Sequence, residues 1–353
     1  MKRGKVTKEI RAKEPKGEKR AKGRKRSEAK ICIDYSSSQR TLTWRNRVPP
    51  DYLIDLTGVA VGPAATATMP EPTELIHLTH EGNSCLECES TVIAIDKIAC
   101  EDVDANGEPS SIPSQQQQYT VILDKTSMHP QGGGQPTDVG VISAATEGGS
   151  KLQVEKVTID RETGIVTHAV TLVDGAHDSA ENAATPFEIG SKVQVSVDAD
   201  NRRLLSECHT AGHVVDSAMA RCGQNLPPTK GYHFLDGPYV EYRGKIPPEE
   251  RETLLENLQA AFKDLVQEDI DTTIQTLSKE KANEVCNNIA QNFDFSDYPG
   301  ETVRVVSVAN YPCPCGGTHV KSTGDLKDRG WGIKGPIKSK KGVVRIRYGP
   351  DCA

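Results

Sequence analysis

The feature that most constrains this chain is a change of period near residue 199. Between residues 75 and 198, short apolar, β-branched runs recur: "STVIAID", "YTVILDKT", "GVIS", "KLQVEKVTI", "GIVTHAV" and "SKVQVSVD", parted by turns that carry Gly and Asp. Several short strands at this spacing predict a small antiparallel barrel or sandwich. From residue 199 the pattern becomes helical. In "NRRLLSECHTAGHVVDSAMARCG", Leu204, Leu205, Ala211, Val214, Val215, Ala218 and Met219 follow a repeat of about 3.6 residues, and Gly223 stands where a helix C-terminus often does. A second helix is expected from Pro248 through Leu254, Leu255, Leu258, Ala261, Phe262, Leu265 and Val266. "GYHFLDGPYVEY" alternates as a hairpin would, and "VRVVSVANY" and "GVVRIRY" read as strands. The expected class is α+β: a small antiparallel β-barrel-like domain over 75–198, then an α/β domain over 199–353.

Composition enters through charge. The chain has 353 residues, 36% apolar and 26% charged, which is ordinary for a soluble globular protein, and no apolar run approaches a membrane span. The net charge of −6 conceals a division: residues 1–30 carry fourteen Lys/Arg against four Glu, a net +10, which leaves −16 on residues 31–353. Lacking apolar anchors to offset its ordering entropy, 1–30 is expected to be a disordered basic arm. It would bind polyanions through phosphate contacts, or serve only as a solubilising or nuclear-import tail. Residues 31–74 read as a linker without an assignable role, and "EDVDANGEPSSIPSQQQQ" (101–118) as a loop insertion. The first thirty residues hold no apolar block of a secretory signal, and ten irregularly spaced cysteines fall far below disulfide-scaffold density. A reducing, cytoplasmic setting is expected, with a nuclear fraction allowed by the basic arm and no membrane partner.

"HTAGH" (209–213) puts two imidazoles on one helix face, about 5–6 Å apart at Cβ. Thr210 stands where a metalloprotease motif carries its Glu, so that built-in base is excluded. Taken alone, the pair is a weak metal signal. "CPCGGTH" (313–319) adds Cys315 and His319 across a Gly-Gly turn that lets both donors face one ion. Three imidazoles and a thiolate, or three of these with a water, suit zinc. A shell closed by four protein ligands would be structural and one with an open position catalytic, and spacing leaves both open. Cys208 points to a different helix face from His209; Cys313 competes with Cys315. The lone Cys85/Cys88 pair reads as ordinary strand cysteines. "GGGQPTDVG", starting at Gly132, cannot be a strand interior, so the chain there turns tightly or lets another molecule approach its backbone.

In this order, "LDKT…GGGQPTDVG", "HTAGH", "KGYHFLDGPYVEY" and "CGGTHVKSTGDL" resemble the freestanding alanyl-tRNA editing proteins, relatives of the editing domain of alanyl-tRNA synthetase. The resemblance covers roughly 75–350. It implies a β-barrel-like domain followed by a zinc-containing editing domain. It also implies a deacylase that acts in trans, without ATP, on tRNA(Ala) mischarged with serine, or with glycine. One zinc ion per chain would be held by His209, His213, Cys315 and His319. The family's glycine-rich loop falls on Gly132, Gly133, Gly134, Gln135 and Asp138, with Gln135 and Asp138 given catalytic roles. The threonine that recognises the serine hydroxyl falls on Thr229. Met128 and His129 stand where the family shows an aromatic pair. Zinc can lower the pKa of a water or hold the substrate, and Gln135 could supply a hydrogen bond to the ester or the terminal ribose. A hydroxyl-binding Thr229 would spare alanine, which lacks a hydroxyl. His233 and Asp236 read as structural. Lys327, Arg329, Lys334, Lys338, Lys340, Lys341, Arg345 and Arg347 follow the zinc motif, and this patch is expected to meet the acceptor stem. Two alternatives remain: editing of mischarged tRNA(Thr), since threonyl-tRNA synthetase carries a similar zinc domain, and a non-catalytic tRNA-binding module stapled by zinc.

Overall fold

In the computed structural model, residues 71–98, 117–146, 149–173, 185–290 and 293–352 are described. The basic arm, the linker up to residue 70 and most of the 101–118 insertion lie outside them. The chain enters through β1 (Glu74–Leu75), which pairs in parallel with β4 (Lys125–Thr126). Thr73, inside the stretch read as linker, is already tied to the barrel: its N–H donates to Gly164 and its hydroxyl to Leu123.

The barrel is closed, which decides between the two all-β forms left open by the pattern. Its strands are β2 (Glu87–Lys97), β3 (Gln118–Leu123), β5 (Gly140–Ala144), β6 (Lys151–Ile159), β7 (Val166–Leu172) and β8 (Lys192–Val197). They run in the order β2-β3-β7-β6-β5-β8, and β8 pairs back onto β2, antiparallel throughout. Closure removes the exposed edges that short strands would otherwise present. Alternation then sends Tyr119, Val121 and Leu123 of β3 inward, against Val92, Ile142, Leu152, Val154, Val170 and Val195. Bulges at Val92/Ala94 and Val154/Lys156 supply the local bend that closure needs.

After β8, Asp198 caps α1 (Ala199–Arg221) by accepting from the Asn201 N–H at 2.8 Å. A hairpin of β9 (Pro228–Tyr232) and β10 (Tyr239–Arg243) follows, then α2 (Arg251–Gln267), entered through a 3-10 turn at Pro248. Next come β11 (Thr273–Ser278), α3 (Lys279–Ala290), β12 (Thr302–Val308), β13 (Tyr311–Pro314), β14 (Gly332–Lys340) and β15 (Val343–Gly349). These form two antiparallel sheets, β14-β15-β10-β9 and β11-β12-β13. The main core joins α1 and α2 to the inner face of the larger sheet through Val215, Met219, Leu258, Phe262, Tyr242 and Ile346. A smaller core lies under α3, around Cys286, Phe295 and Val303. Register places Lys230, Tyr232, Tyr239, Glu241, Arg243, Arg345, Arg347, Lys334, Lys338 and Lys340 together on the opposite, solvent face of the larger sheet. No helix among the described residues is long and apolar enough to cross a membrane.

Candidate metal centre

Helix α1 is buried along most of its length, and many of its buried residues are polar: Glu207, His209, Thr210, His213, Asp216 and Ser217. Polar groups removed from water need partners, so each one marks a contact. The four-residue spacing of His209 and His213 stacks their rings, with centroids 5.2 Å apart. The turn after β13 brings up Cys315 and His319. The ligand atoms of all four residues lie within 4.8 Å of one another. The Cys315 Sγ stands 3.4 Å from both His209 Nε2 and His319 Nε2. Zn–S and Zn–N bonds of about 2.3 and 2.05 Å at a tetrahedral angle predict an S···N edge of about 3.6 Å, close to what is found.

Hydrogen bonds behind the rings decide which nitrogens face inward. Gln135 Oε1, which can only accept, lies 2.6 Å from His209 Nδ1 and also takes the Thr318 N–H at 3.0 Å. His209 therefore carries its proton on Nδ1 and turns the Nε2 lone pair to the cluster. Thr210 Oγ1, which takes the Val320 N–H at 3.2 Å, stands 3.2 Å from His319 Nδ1 and holds that ring in place. Asp216 Oδ2 faces His213 Nδ1 at 3.4 Å, and Tyr242 donates to the other carboxylate oxygen at 2.6 Å. Both ring nitrogens of His213 are buried with no hydrogen-bond partner, so Asp216 stands beside Nδ1 at ion-pair distance only. Imidazole nitrogens converging on a thiol, those of His213 without a hydrogen-bond partner, are an arrangement a cation relieves, so the four residues fit a metal ion.

Charge in the metal-free chain follows from burial. Burial, aided by the neighbouring His233, His319 and His213, drives the His209 pKa well below that of a free imidazole. His319 is lowered in the same way, by burial and then by His213. Burial also opposes protonation of His213, but Asp216 and the thiols of Cys313 and Cys315 outweigh it and raise its pKa. Burial pushes the Cys315 thiol up, yet the nearby charges of His213 and Arg304 and the Gly317 N–H bring it below the usual value.

The close packing leaves no room for larger residues. A Cβ on Gly317 would stand 2.2 Å from the His209 ring, and one on Gly134 would stand 2.4 Å from the Gly231 carbonyl oxygen. The glycine-rich loop is a tight turn in which Gly132 and Gln135 exchange backbone hydrogen bonds, and Gly133 and Gly134 at its centre take φ of +57° and +81°. Both central residues with positive φ make this the turn type that favours glycine. Over the cluster opens a pocket of about 270 Å³, walled by Gly133, Thr229, Lys230, His233 and Cys313 together with His209, His213 and Cys315.

The structure thus brings together His209, His213, Cys315, His319, Thr229 and Gly133, and it moves several other expected residues elsewhere. Gln135 has no exposed surface, and its amide is engaged by His209 and Thr318; it backs a ligand rather than facing an ester. Asp138 is also wholly buried, clamped by the Arg202 guanidinium and the His129 N–H. A carboxylate held this way anchors the loop and does not reach the pocket. Gly132 sits at the base of the turn and Gly134 against β9, so only Gly133 meets the pocket. Arg345 is paired with Glu241 at 2.6 Å, and Arg329 with the buried Glu207 at 2.8 Å. Lys338 and Lys340 lie on β14, the edge opposite β9, about 14 Å away across three strand spacings, with Lys341 at the tip of the β14–β15 hairpin. Lys327 lines a separate cavity beside α2.

Sequence reasoning missed Thr210, Asp216, Thr318, Asn83 and Arg202. Asp216 was within reach, because it stands three residues after His213 on the same helix face. Asn83 grips the His319 backbone at both ends, 2.7 and 3.0 Å, from 236 residues away. Cys208 is engaged by the His233 carbonyl, and burial pushes its thiol up to about 12, consistent with no ligand role. Cys85 and Cys88 are free, as are the other cysteines among the described residues.

Comparison with known proteins gives first a class. Residues 303–347, which include Cys315 and His319, match the threonyl and alanyl tRNA synthetase second additional domain. A particular relative then extends the match across both halves. The chain is 29% identical over 230 residues to the alanyl-tRNA editing protein AlaX-M of Methanosarcina acetivorans, covering 64% of this chain and 86% of that one. It is also 28% identical over 254 residues to the alanine–tRNA ligase of Pseudothermotoga lettingae, and 27% over 247 residues to that of M. acetivorans. Those matches span only 24% and 23% of the ligases. The resemblance carried by the four motifs is borne out: the chain is a relative of the alanyl-tRNA editing proteins and of one segment of the alanine–tRNA ligases.

Proposed function

We propose that the chain is a zinc-dependent deacylase that hydrolyses the ester of mischarged tRNA(Ala) in trans, with serine as the preferred wrong amino acid and glycine as a second. The observation that carries this reading is the four-residue cluster at the floor of a pocket whose rim holds the exposed Thr229. The volume of that pocket, about 270 Å³, suits an amino acid and part of a ribose rather than a larger ligand. Zinc is the metal of choice because three imidazoles and one thiolate match its preferred donors. Bound there, it would supply positive charge to polarise the ester or to hold the terminal ribose in register.

The protein's own groups do the rest. Thr229 donates its hydroxyl proton to the Glu241 carbonyl at 3.2 Å, which leaves its oxygen free to accept from a serine hydroxyl. Alanine has no such donor and gains nothing at this position. Gln135, Thr210 and Asp216 are positioning residues that orient the three imidazoles, and the Arg202–Asp138 pair holds the loop that carries Gln135. Gly133 leaves the backbone uncovered at the pocket rim, where the substrate ester can approach. Water adds to the ester carbonyl, and the ribose oxygen leaves with a proton, which yields free amino acid and uncharged tRNA. Lys338, Lys340 and Lys341 face solvent on the sheet's basic side and suit the phosphates of the acceptor stem. The activity belongs with translation in the cytoplasm, where the basic arm adds non-specific affinity.

One observation favours a second reading. Four protein donors complete a tetrahedral shell, which is the pattern of a structural site, so a non-catalytic zinc-stabilised module is the rival. The deciding experiment offers metal-loaded protein Ser-tRNA(Ala), Gly-tRNA(Ala), Ala-tRNA(Ala) and Ser-tRNA(Thr) in parallel. Selective release of serine from tRNA(Ala) is expected. Release only from tRNA(Thr) moves the assignment to threonine editing, and no release at all moves it to the binding module.

A further inference from the structure

The pocket and the basic face meet at β9, and there the solvent side carries aromatic rings. Tyr232 and Tyr239 are direct partners in the β9–β10 register and stack with centroids 5.1 Å apart and planes 18° from parallel. Phe234 continues the stack on Tyr232 at 4.8 Å and 20°. At the other end the Arg345 guanidinium lies 4.0 Å from the centre of the Tyr239 ring, held by two bonds to Glu241. Lys230 Nζ stands 6.0 and 5.8 Å from the two tyrosine rings. None of these rings is buried, and the core lies on the opposite face of the sheet, so packing does not account for them. Asp236, which accepts from the Tyr232 hydroxyl, and Glu241, already paired with Arg345, are the acidic groups touching the ladder. Lys230 borders both the ladder and the pocket.

We infer that the Phe234–Tyr232–Tyr239–Arg345 ladder is a stacking seat for the unpaired bases of an RNA 3′ end whose terminus enters the pocket, the bases adding to the ladder at its ends, on the outer faces of Phe234 and Arg345, because Tyr232 and Tyr239 are already stacked on both sides. Aromatic and guanidinium faces next to cations are what unpaired nucleotides recognise, through base stacking and phosphate contacts. A duplex keeps its base faces covered and has nothing to offer the ladder. The inference rests on the proposed tRNA substrate for the direction of the strand, but stacking can be tested without any amino acid.

The test uses two uncharged hairpin RNAs, one with a four-nucleotide unpaired 3′ end and one blunt, the first carrying 2-aminopurine at an unpaired position. The wild-type protein is expected to bind the overhanging hairpin more tightly and to quench its fluorescence. Phe234→Ala is expected to weaken that binding about ten-fold, a typical loss for one stacked base. It should leave the blunt hairpin unchanged, while Phe234→Tyr should bind as wild type. Equal affinity of the wild type for the two RNAs, absence of quenching, or equal loss on both RNAs in Phe234→Ala overturns the inference. Should Phe234→Ala fail to fold, the wild-type quenching alone decides. Hydrolysis of Ser-tRNA(Ala) is read separately, so loss of the seat and loss of the editing reading are distinguishable.

Discussion

The barrel interior is built from residues such as Val92, Val121, Leu152 and Val195, whereas the interior along α1 mixes Ala211, Val214 and Val215 with Glu207, His209, Thr210, His213 and Asp216. In the first region any well-fitting aliphatic side chain does the job, because dispersion and apolar burial are non-directional. In the second, each polar group depends on a particular partner at a particular angle, because an unpartnered one costs about 1–3 kcal/mol. The barrel tolerates; α1 specifies. The two regions are also coupled, since Gln135 and Asn83 reach from the barrel side to hold His209 and His319.

The sharpest way to break this contrast is to remove a ligand. His209→Ala is expected to lower deacylation more than about 100-fold and to reduce bound zinc, while Val121→Ala lowers stability and leaves specific activity per folded molecule intact. Zinc content and single-turnover hydrolysis of both variants check this; equal effects would erase the distinction. Next in size is the buried pair joining the regions. Arg202→Met leaves Asp138 charged and uncompensated, so a loss of about 3–5 kcal/mol is expected in urea unfolding. The double variant Arg202→Met with Asp138→Asn should recover part of it, and failure to do so would mean that Arg202 acts through packing alone.

Acid tests His168, on β7 of the barrel wall, which has no link to the cluster. His168 donates from Nδ1 to the Val121 carbonyl and accepts from Thr126, and burial lowers its pKa to about 4. An unfolded histidine titrates near about 6.5. The unfolded state thus binds the proton first, so this contribution to stability is present above about 6.5 and is lost as pH falls toward 4, by up to about 3 kcal/mol. His168→Leu should flatten that part of the stability-against-pH curve relative to wild type, and an unchanged curve would show that His168 does not carry it. The smallest effect belongs to Thr229. Thr229→Val should narrow the preference for Ser-tRNA(Ala) over Ala-tRNA(Ala) about ten-fold, roughly one hydrogen bond at an exposed site, through a slower serine reaction. A preference left intact would remove Thr229 from substrate selection.

Much of the barrel was legible, since strands such as "KLQVEKVTI" alternate in period two and that signal is local. β11, α3 and β14 were not singled out. β14 is interrupted by Gly335 and Pro336, where its register shifts, and α3 is short and rich in Asn, so neither carries a clean period. Of the site, the four residues that cluster as a possible metal centre could be named from spacing and from the resemblance. That Gln135 is buried behind His209 and Asp138 is clamped by Arg202 was not legible, because sequence shows that a polar residue is near a glycine turn, not which way its side chain points. The basic residues after the ligands looked like one patch; pairing with Glu207 and Glu241 withdraws Arg329 and Arg345 from it.

The sequence by itself determined the two periods, and with them a run of short strands followed by a helix, because period depends only on neighbouring residues; that the strands close into a barrel came from the structure. It also determined which residues could bind a metal, because donor chemistry belongs to the side chain. Only the tertiary structure decided the tautomer of His209, the burial of Gln135 and Asp138, and the meeting of pocket and aromatic ladder along β9. Those depend on hydrogen bonds and registers between segments as much as 236 residues apart, such as Asn83 and His319, and no local pattern encodes such a contact.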